Sequence, residues 1–203
     1  MKSSVALGCL RRLPASFATR EAAASLGIDP RHASVVLGRL AHDGHVLRLS
    51  KGRWAFPGRL SPFAVPEALT RPIPSYVSLQ SALHHHGMIE QIPDVVYAVT
   101  LVPTRRTVTP ITSVSLHRLT PDFFFGFERL SATGANVALP EKALLDFFYL
   151  RPARSRLFRA LPELELPRTF SERRARSMLR RIRSNVRRAL VGELLNDVLA
   201  GRK

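Results

Sequence analysis

Cysteine is almost absent from this sequence, which has Cys9 alone among 203 residues. An internal disulfide and a metal site built from several cysteines are therefore excluded. Long apolar runs are missing too, because Arg, Asp or His interrupts each stretch before it reaches the 18 residues typical of a membrane span. The sequence has no G-x-S-x-G and no glycine-rich phosphate loop. We therefore expect a protein that is not an enzyme and that holds neither a cofactor nor a metal.

The N-terminal segment MKSSVALGCLRRLP lacks the length of an export signal. Its apolar run is short, and Arg11 and Arg12 follow it directly. The sequence therefore predicts a soluble, cytoplasmic protein that does not enter a membrane.

Acidic residues are few: 15 Asp and Glu stand against 31 Lys and Arg, a formal net charge of +16. Residues 1–60 carry 10 basic and 3 acidic side chains, residues 61–150 carry 6 and 7, and residues 151–203 carry 15 and 5. Two basic ends thus flank a neutral middle. This uneven distribution favours an anionic partner, either nucleic acid or an acidic protein. An arginine-rich proteome is the alternative explanation for the total charge, since only 4 of the basic residues are Lys.

Two short helices joined by a tight break are predicted near the N-terminus. Thr19 or a neighbour is expected to cap the first, and Gly27 to end it. Asp29 is expected to cap the second, which begins at Pro30. In the second helix the apolar residues recur on one stripe, namely Ala33, Val36, Leu37 and Leu40. With the preceding segment SSVALGCLRRLP, they predict a helix-turn-helix core.

A β-hairpin with a Lys51-Gly52 turn is predicted directly after these helices. Apolar and basic residues alternate on either side of the turn, which is expected to place Leu47, Leu49, Trp54 and Phe56 on one face. Three helices and a hairpin with a basic tip are typical of a winged helix.

The winged helix predicts a set of DNA contacts. Its second helix can enter a major groove, while the wing and the helix ends contact phosphates. We expect Arg31, His32, Ser34 and Arg39 to face bases or nearby phosphates. We expect Thr19, Arg20, Lys51 and Arg53 mainly to contact the DNA backbone. A winged helix that contacts only proteins is the alternative.

The rest of the chain predicts a second domain, so that the whole is an α+β protein. Residues 1–58 form the winged helix-turn-helix, residues 59–75 a proline-rich linker, and residues 76–203 a mixed α/β domain with a helical tail. VVYAVTLV is expected to form a buried strand, TSVSLHRL a half-exposed strand, NVALP a short extended segment, and PEKALLDFFYLRP an amphipathic helix.

The tail from Ser171 onward combines an apolar helical stripe with many arginines. The stripe consists of Ala175, Met178, Leu179, Ile182, Val186, Ala189 and Leu190. The basic face around it is expected to contact DNA, an acidic protein surface, or water alone.

Three adjacent histidines, His84, His85 and His86, raise the question of a metal site. They end a short predicted helix that Gly87 stops, and successive side chains on a helix point about 100° apart. They cannot converge on one ion, and the residue four after His84 is Met88 rather than a second ligand. We expect one of them to pack inward near Leu83 and the others to lie at the helix C-terminus.

The order of these segments resembles the AbiEi antitoxins of type IV toxin-antitoxin systems, from about Phe17 to Leu150. The matching segments are the winged-helix pattern, YVSLQSALHHHGMI, VYAVTLVPTRRT, SVSLHRLTPDFFFGFE and ALPEKALLDFFYLRP. The most specific are LPEKALLDFFYLRP and YVSLQSAL with Gly87 after it. The resemblance implies a repressor that binds repeats in its own promoter as double-stranded DNA. It also implies a C-terminal antitoxin domain that counteracts a cognate AbiEii-family nucleotidyltransferase toxin, with direct contact left open.

Two other functions stay open as alternatives. One is a ligand-sensing winged-helix transcription factor unrelated to a toxin, with its ligand pocket in the neutral middle. The other is a nucleic-acid-modifying enzyme, but Glu141 and Asp146 lie about 140° apart around one predicted helix, which does not suit two carboxylates acting together. Glu141 is better placed to favour the helix dipole, and Lys142 is expected at the surface.

Overall fold

Both helices and strands occur along the chain in a computed structural model that describes residues 3–151 and 163–201. The described helices are α1 (Ser3–Leu10), α2 (Thr19–Leu26), α3 (Pro30–His42), α4 (Val65–Thr70), α5 (Leu79–His85), α6 (Pro140–Leu150), α7 (Glu172–Leu179) and α8 (Asn185–Ala200). The described strands are β1 (Ser16–Ala18), β2 (Leu47–Ser50), β3 (Arg53–Ala55), β4 (Ser75–Val77), β5 (Val95–Thr100), β6 (Arg105–Val108), β7 (Ser113–Arg118), β8 (Phe127–Arg129) and β9 (Asn136–Ala138). The predicted α+β class is confirmed.

The N-terminal unit, residues 3–56, packs α1, α2 and α3 against a three-stranded antiparallel sheet. The strand order is β1-β3-β2, so the segment before α2 joins the hairpin as a third strand. Its buried cluster includes Leu10, Phe17, Leu37, Leu40 and Trp54. This core fixes the orientation of α3 relative to the hairpin.

The break between α2 and α3 follows the predicted chemistry. Gly27 ends α2 in the left-handed conformation, with φ of 64°. The Asp29 carboxylate accepts hydrogen bonds from the backbone N–H groups of Arg31 and His32, at 2.8 and 3.1 Å. At the start of α2 the cap is Ala18 rather than Thr19, and the Ala18 N–H donates to the Glu21 carboxylate at 2.5 Å. Thr19 is the first helical residue.

The apolar side chains of the hairpin do not all lie on the one face that the sequence predicts for them. Trp54 and Phe56 lie in the cluster of the N-terminal unit, but Leu49 and Ala55 lie in the larger cluster built around the second sheet. The cause is the register, which pairs Arg48 with Trp54 and is irregular between Arg48 and Ser50. Residues paired across two strands share a face, so the predicted grouping of Leu49 with Trp54 is wrong.

The segment 59–75, predicted to be a linker, contains packed structure. It contains α4, in which Val65, Ala68 and Leu69 are buried in the larger cluster. Frequent prolines hide the helical period here, yet Pro66 stands in the first turn of α4, where its missing N–H costs nothing. The segment predicted to be a proline-rich linker therefore includes a helix that packs into the core.

The second sheet has six strands in the order β6-β7-β5-β4-β9-β8. β4 and β5 are antiparallel, while β9 lies parallel to β4 and β7 parallel to β5. The predicted strands VVYAVTLV, TSVSLHRL and NVALP are confirmed as β5, β7 and β9, and the predicted helix in PEKALLDFFYLRP as α6. However, every residue from Pro140 to Tyr149 is buried, so α6 is a central helix rather than an amphipathic one.

Only the first part of the apolar stripe predicted for the C-terminal tail is buried in the structure. Ala175, Met178 and Ile182 are buried, but Val186 is 83% exposed, and the buried positions of α8 are Val191 and Leu195. The interruption between Leu179 and Asn185 changes the rotational phase of the chain, so one stripe cannot continue through both helices. Within residues 3–151 and 163–201, no helix combines the length and apolar character required to cross a bilayer.

Candidate functional site

The exposed face of α3 carries the four side chains predicted to contact bases. Arg31, His32, Ser34 and Arg39 are all exposed. The buried stripe Ala33, Val36, Leu37 and Leu40 lies opposite, because the two sets occupy separate arcs centred about 170° apart at 100° per residue. Val35 and Gly38, also exposed, lie between the polar side chains. The exposed face of the helix thus consists of polar side chains around Val35 and Gly38.

The start of α2 lies against the turn of the hairpin. The Thr19 N–H donates to the Gly52 carbonyl at 3.1 Å, so Arg20 and Lys51 each lie one residue away from this bond. Arg20 and Lys51 are exposed. Gly52 has φ of 73°, a conformation that glycine adopts without strain. This contact brings two cations from distant parts of the sequence to one end of the N-terminal unit.

The other two predicted backbone contacts have partners inside the protein. The Thr19 hydroxyl accepts a hydrogen bond from the Trp54 indole N–H at 2.9 Å. The Arg53 guanidinium donates to the Arg71 carbonyl. Both side chains are half-buried. The first bond lies within the N-terminal unit, and the second joins this unit to the end of α4. Arg20 and Lys51 are therefore the better candidates for the predicted phosphate contacts.

Positive charge on the N-terminal unit is not neutralised locally. Glu21 and Asp29 are used at the helix N-termini, and Asp43 contacts His42 at 3.3 Å. In the described part of residues 1–60, no Arg or Lys pairs with a carboxylate. The exposed arginines of this part of the chain therefore keep their charge available to an anionic partner.

Comparisons with known proteins do not assign this chain to a family. No protein-family model matches the chain. A search of curated proteins finds no match either.

The three histidines have separate environments. A ring nitrogen of His84 contacts the Ile89 carbonyl at 3.3 Å, and a ring nitrogen of His86 contacts the Ala138 carbonyl at 2.7 Å. His85 is exposed and stands edge-on to Phe63, with ring centroids 5.8 Å apart. Burial and the neighbouring histidines lower the pKa of His85. Among the described residues, no group of three His, Cys, Asp or Glu side chains is arranged to hold a metal ion.

A buried polar network around α6 was not predicted from the sequence. Lys142 forms an ion pair with Asp146, and both side chains are fully buried. Asp146 also accepts hydrogen bonds from the Ser78 and Tyr76 hydroxyls, at 2.7 and 3.0 Å. The Lys142 ammonium lies 3.8 Å from the centre of the Phe123 ring. The expectation that Lys142 lies at the surface is therefore wrong.

Burial opposes charge on both members of this ion pair. It raises the pKa of Asp146 and lowers the pKa of Lys142, while their mutual attraction acts in the opposite direction. The spacing of four residues places Lys142 and Asp146 on one side of a helix. This spacing is the feature of the sequence from which the ion pair could have been predicted. Each polar group of the network has its partner inside the protein, which suits a structural role better than a catalytic one.

Glu141, next to this pair, anchors the C-terminal helices. Its buried carboxylate accepts a hydrogen bond from the Ser171 N–H at 2.6 Å and lies 3.3 Å from the Arg174 guanidinium. The Ser171 hydroxyl caps α7. The sequence predicts that Glu141 interacts favourably with the dipole of its own helix, α6. In the structure its carboxylate mainly binds the N-terminus of α7.

The stability of the protein should depend on pH through His117 on β7. Burial lowers the pKa of this imidazole to about 4, while its Nε2 lies 3.0 Å from the Ser115 hydroxyl. The unfolded chain binds the proton more readily, so this contribution is complete above about pH 6.5 and is lost as the pH falls toward 4. We expect a loss of about 3 kcal/mol in the free energy of unfolding across this window.

Denaturant titrations of the unaltered protein and of His117→Gln between pH 7 and pH 4 measure this effect. The difference between the two free energies of unfolding should change across the window. Parallel curves for the unaltered protein and His117→Gln would exclude His117 as the cause.

Proposed function

We propose that the N-terminal unit is a winged helix that binds DNA, with α3 in the major groove. The single observation that carries this proposal is the exposed polar face of α3 with its unpaired arginines. Arg31 and Arg39 can each donate two hydrogen bonds to a guanine edge, the commonest specific contact in this groove. Ser34 and His32 provide further donors and acceptors on the same face. The β2–β3 hairpin serves as the wing.

The contact between the start of α2 and the hairpin turn supports this role. Arg20 and Lys51 lie on either side of the bond from Thr19 to Gly52, where they can neutralise phosphates flanking the groove. Phosphate contacts position a protein on the duplex but carry no sequence information, so these two residues are assigned to affinity rather than specificity.

The DNA that the protein binds is its own promoter, and the protein acts as an antitoxin against a nucleotidyltransferase toxin. The resemblance to AbiEi antitoxins from about Phe17 to Leu150 supports this part of the proposal. The packed middle of the chain agrees with it, because the segments YVSLQSAL and LPEKALLDFFYLRP supply the residues of the Lys142–Asp146 network. A regulator of this kind works in the cytoplasm.

A growth-rescue assay tests the antitoxin activity. Co-expression of the full-length protein should restore the growth of cells that produce the toxin encoded beside it. The full chain is needed, because Leu49 and Ala55 of the N-terminal unit are part of the core around the second sheet. A folded Arg31→Ala, Arg39→Ala double variant should still rescue when both genes are expressed from foreign promoters, since only DNA binding is removed. Absence of rescue by the folded, unaltered protein contradicts the antitoxin proposal.

A further inference from the structure

A small cleft lies where the N-terminal unit meets the rest of the chain. It has a volume of about 170 Å³ and is lined by residues 14–16, by α4, and by the loop between β8 and β9. Three arginines line it, namely Arg59, Arg71 and Arg129, together with Glu67 as the acidic residue of the lining. The cleft therefore carries excess positive charge.

The negative charge of Glu67 is already engaged. One carboxylate oxygen lies 3.4 Å from the Arg71 guanidinium, and the other accepts a hydrogen bond from the Asn136 amide at 3.2 Å. Arg59 and Arg129 have no carboxylate partner within residues 3–151 and 163–201. Their two charges are left for an anion in the cleft.

Arg59 is held in position, and Arg129 lies close to the loop that follows β8. The Arg59 guanidinium lies over the Phe56 ring, 4.9 Å from its centre, and donates a hydrogen bond to the Arg11 carbonyl at 3.3 Å. Arg129 lies against the backbone of Gly134, where a Cβ atom would stand 3.3 Å from its guanidinium. Gly134 has φ of 65°, a conformation that favours glycine. Guanidiniums that are fixed before binding lose less entropy when a ligand arrives.

We propose that this cleft binds a small phosphate-bearing ligand. Its volume is below the roughly 300–1,000 Å³ of sites for drug-sized molecules, so it suits a compact anion such as a phosphate group. A guanidinium matches the spacing of two phosphate oxygens and can donate two parallel hydrogen bonds to them. A phosphate between Arg59 and Arg129 would neutralise both charges at once.

This inference goes beyond the proposed function and does not depend on it. Binding is measured on the protein without DNA, so a failure of promoter binding leaves it intact. A ligand that binds this cleft in the folded chain and not in the unfolded chain should stabilise the fold, by an amount that rises with the logarithm of the ligand concentration once this exceeds Kd.

Calorimetric titration of the full-length protein with inorganic phosphate tests the site, at constant ionic strength held with chloride. We expect saturable binding at one site per chain. Arg59→Gln and Arg129→Gln should each weaken it at least about tenfold, and Arg129→Lys should also weaken it, because an ammonium cannot form the paired hydrogen bonds. Arg118→Gln, which removes an exposed arginine outside the cleft, is the matched control and should bind like the unaltered protein.

Circular dichroism confirms that each variant is folded. The proposal is overturned if the unaltered protein shows no saturable uptake of phosphate, or if Arg118→Gln loses as much affinity as Arg129→Gln. Loss of promoter affinity in Arg129→Gln without any phosphate binding by the unaltered protein would assign these arginines to the DNA backbone instead, and would overturn it as well.

Discussion

Replacement of Asp146 by alanine is expected to lower the free energy of unfolding by about 3–5 kcal/mol. The substitution leaves the Lys142 ammonium fully buried without its partner, and it removes the acceptor for the Ser78 and Tyr76 hydroxyls. A buried charge without a partner is among the most costly defects in a folded protein. Urea unfolding followed by circular dichroism measures the change.

An exposed ion pair with the same spacing provides the matched control. Glu172 and Arg176 on α7 also lie four residues apart, with N and O atoms 2.7 Å apart, but both side chains are about half exposed. Glu172→Ala should therefore cost less than about 1 kcal/mol. Burial rather than the ion pair itself accounts for the difference between the two sites.

A double variant separates the unpaired charge from the lost packing. Lys142→Met combined with Asp146→Ala should be more stable than Asp146→Ala alone, because it leaves no buried ammonium behind. If Asp146→Ala costs no more than Glu172→Ala, Asp146 is not buried against Lys142 as the structure describes.

Affinity for the protein's own promoter should fall about tenfold between 50 and 200 mM monovalent salt. Each phosphate contact releases condensed counterions, with a log–log slope of about −0.9 per contact. Arg20 and Lys51 are the exposed cations assigned to phosphates, and two such contacts predict a slope of about −2. Fluorescence anisotropy with a labelled promoter duplex measures the slope.

Substitutions in α3 should reduce sequence discrimination, whereas a substitution in the wing should reduce affinity for all DNA. Arg31→Ala or Arg39→Ala should reduce the discrimination between promoter and random duplex by about 1–3 kcal/mol, because each removes a contact to a base edge. Lys51→Ala should weaken binding to both duplexes alike and reduce the slope by about 1. Arg118→Ala, on β7 and outside the N-terminal unit, serves as the control for lost positive charge.

Two results would contradict this assignment of roles. A salt response that is flat would show that phosphate contacts do not drive binding. Equal losses of discrimination from Arg31→Ala, Arg39→Ala and Lys51→Ala would show that α3 does not contact base edges.

The elements of the N-terminal unit could be predicted because local rules specify them. Gly27, Asp29 and Pro30 each act within one turn of their own position, and the buried stripe of α3 repeats with the helical period. The orientation of the hairpin depends instead on its register and on which neighbour covers each face. No local pattern distinguishes Leu49 from Trp54, since both are large, apolar and buried.

The sequence by itself determined the α+β class, most helix and strand positions, the uneven positive charge and the polar face of α3. The helices and strands follow from capping and periodicity, which depend on residues close together in the sequence. The uneven charge follows from the composition of each segment. Only the tertiary structure decided that Asp146 meets Tyr76 and Ser78, that Glu141 binds the start of α7, and that Arg59 and Arg129 share a cleft. Each of these contacts joins residues 30 or more positions apart, and their meeting depends on how sheets and helices pack in three dimensions.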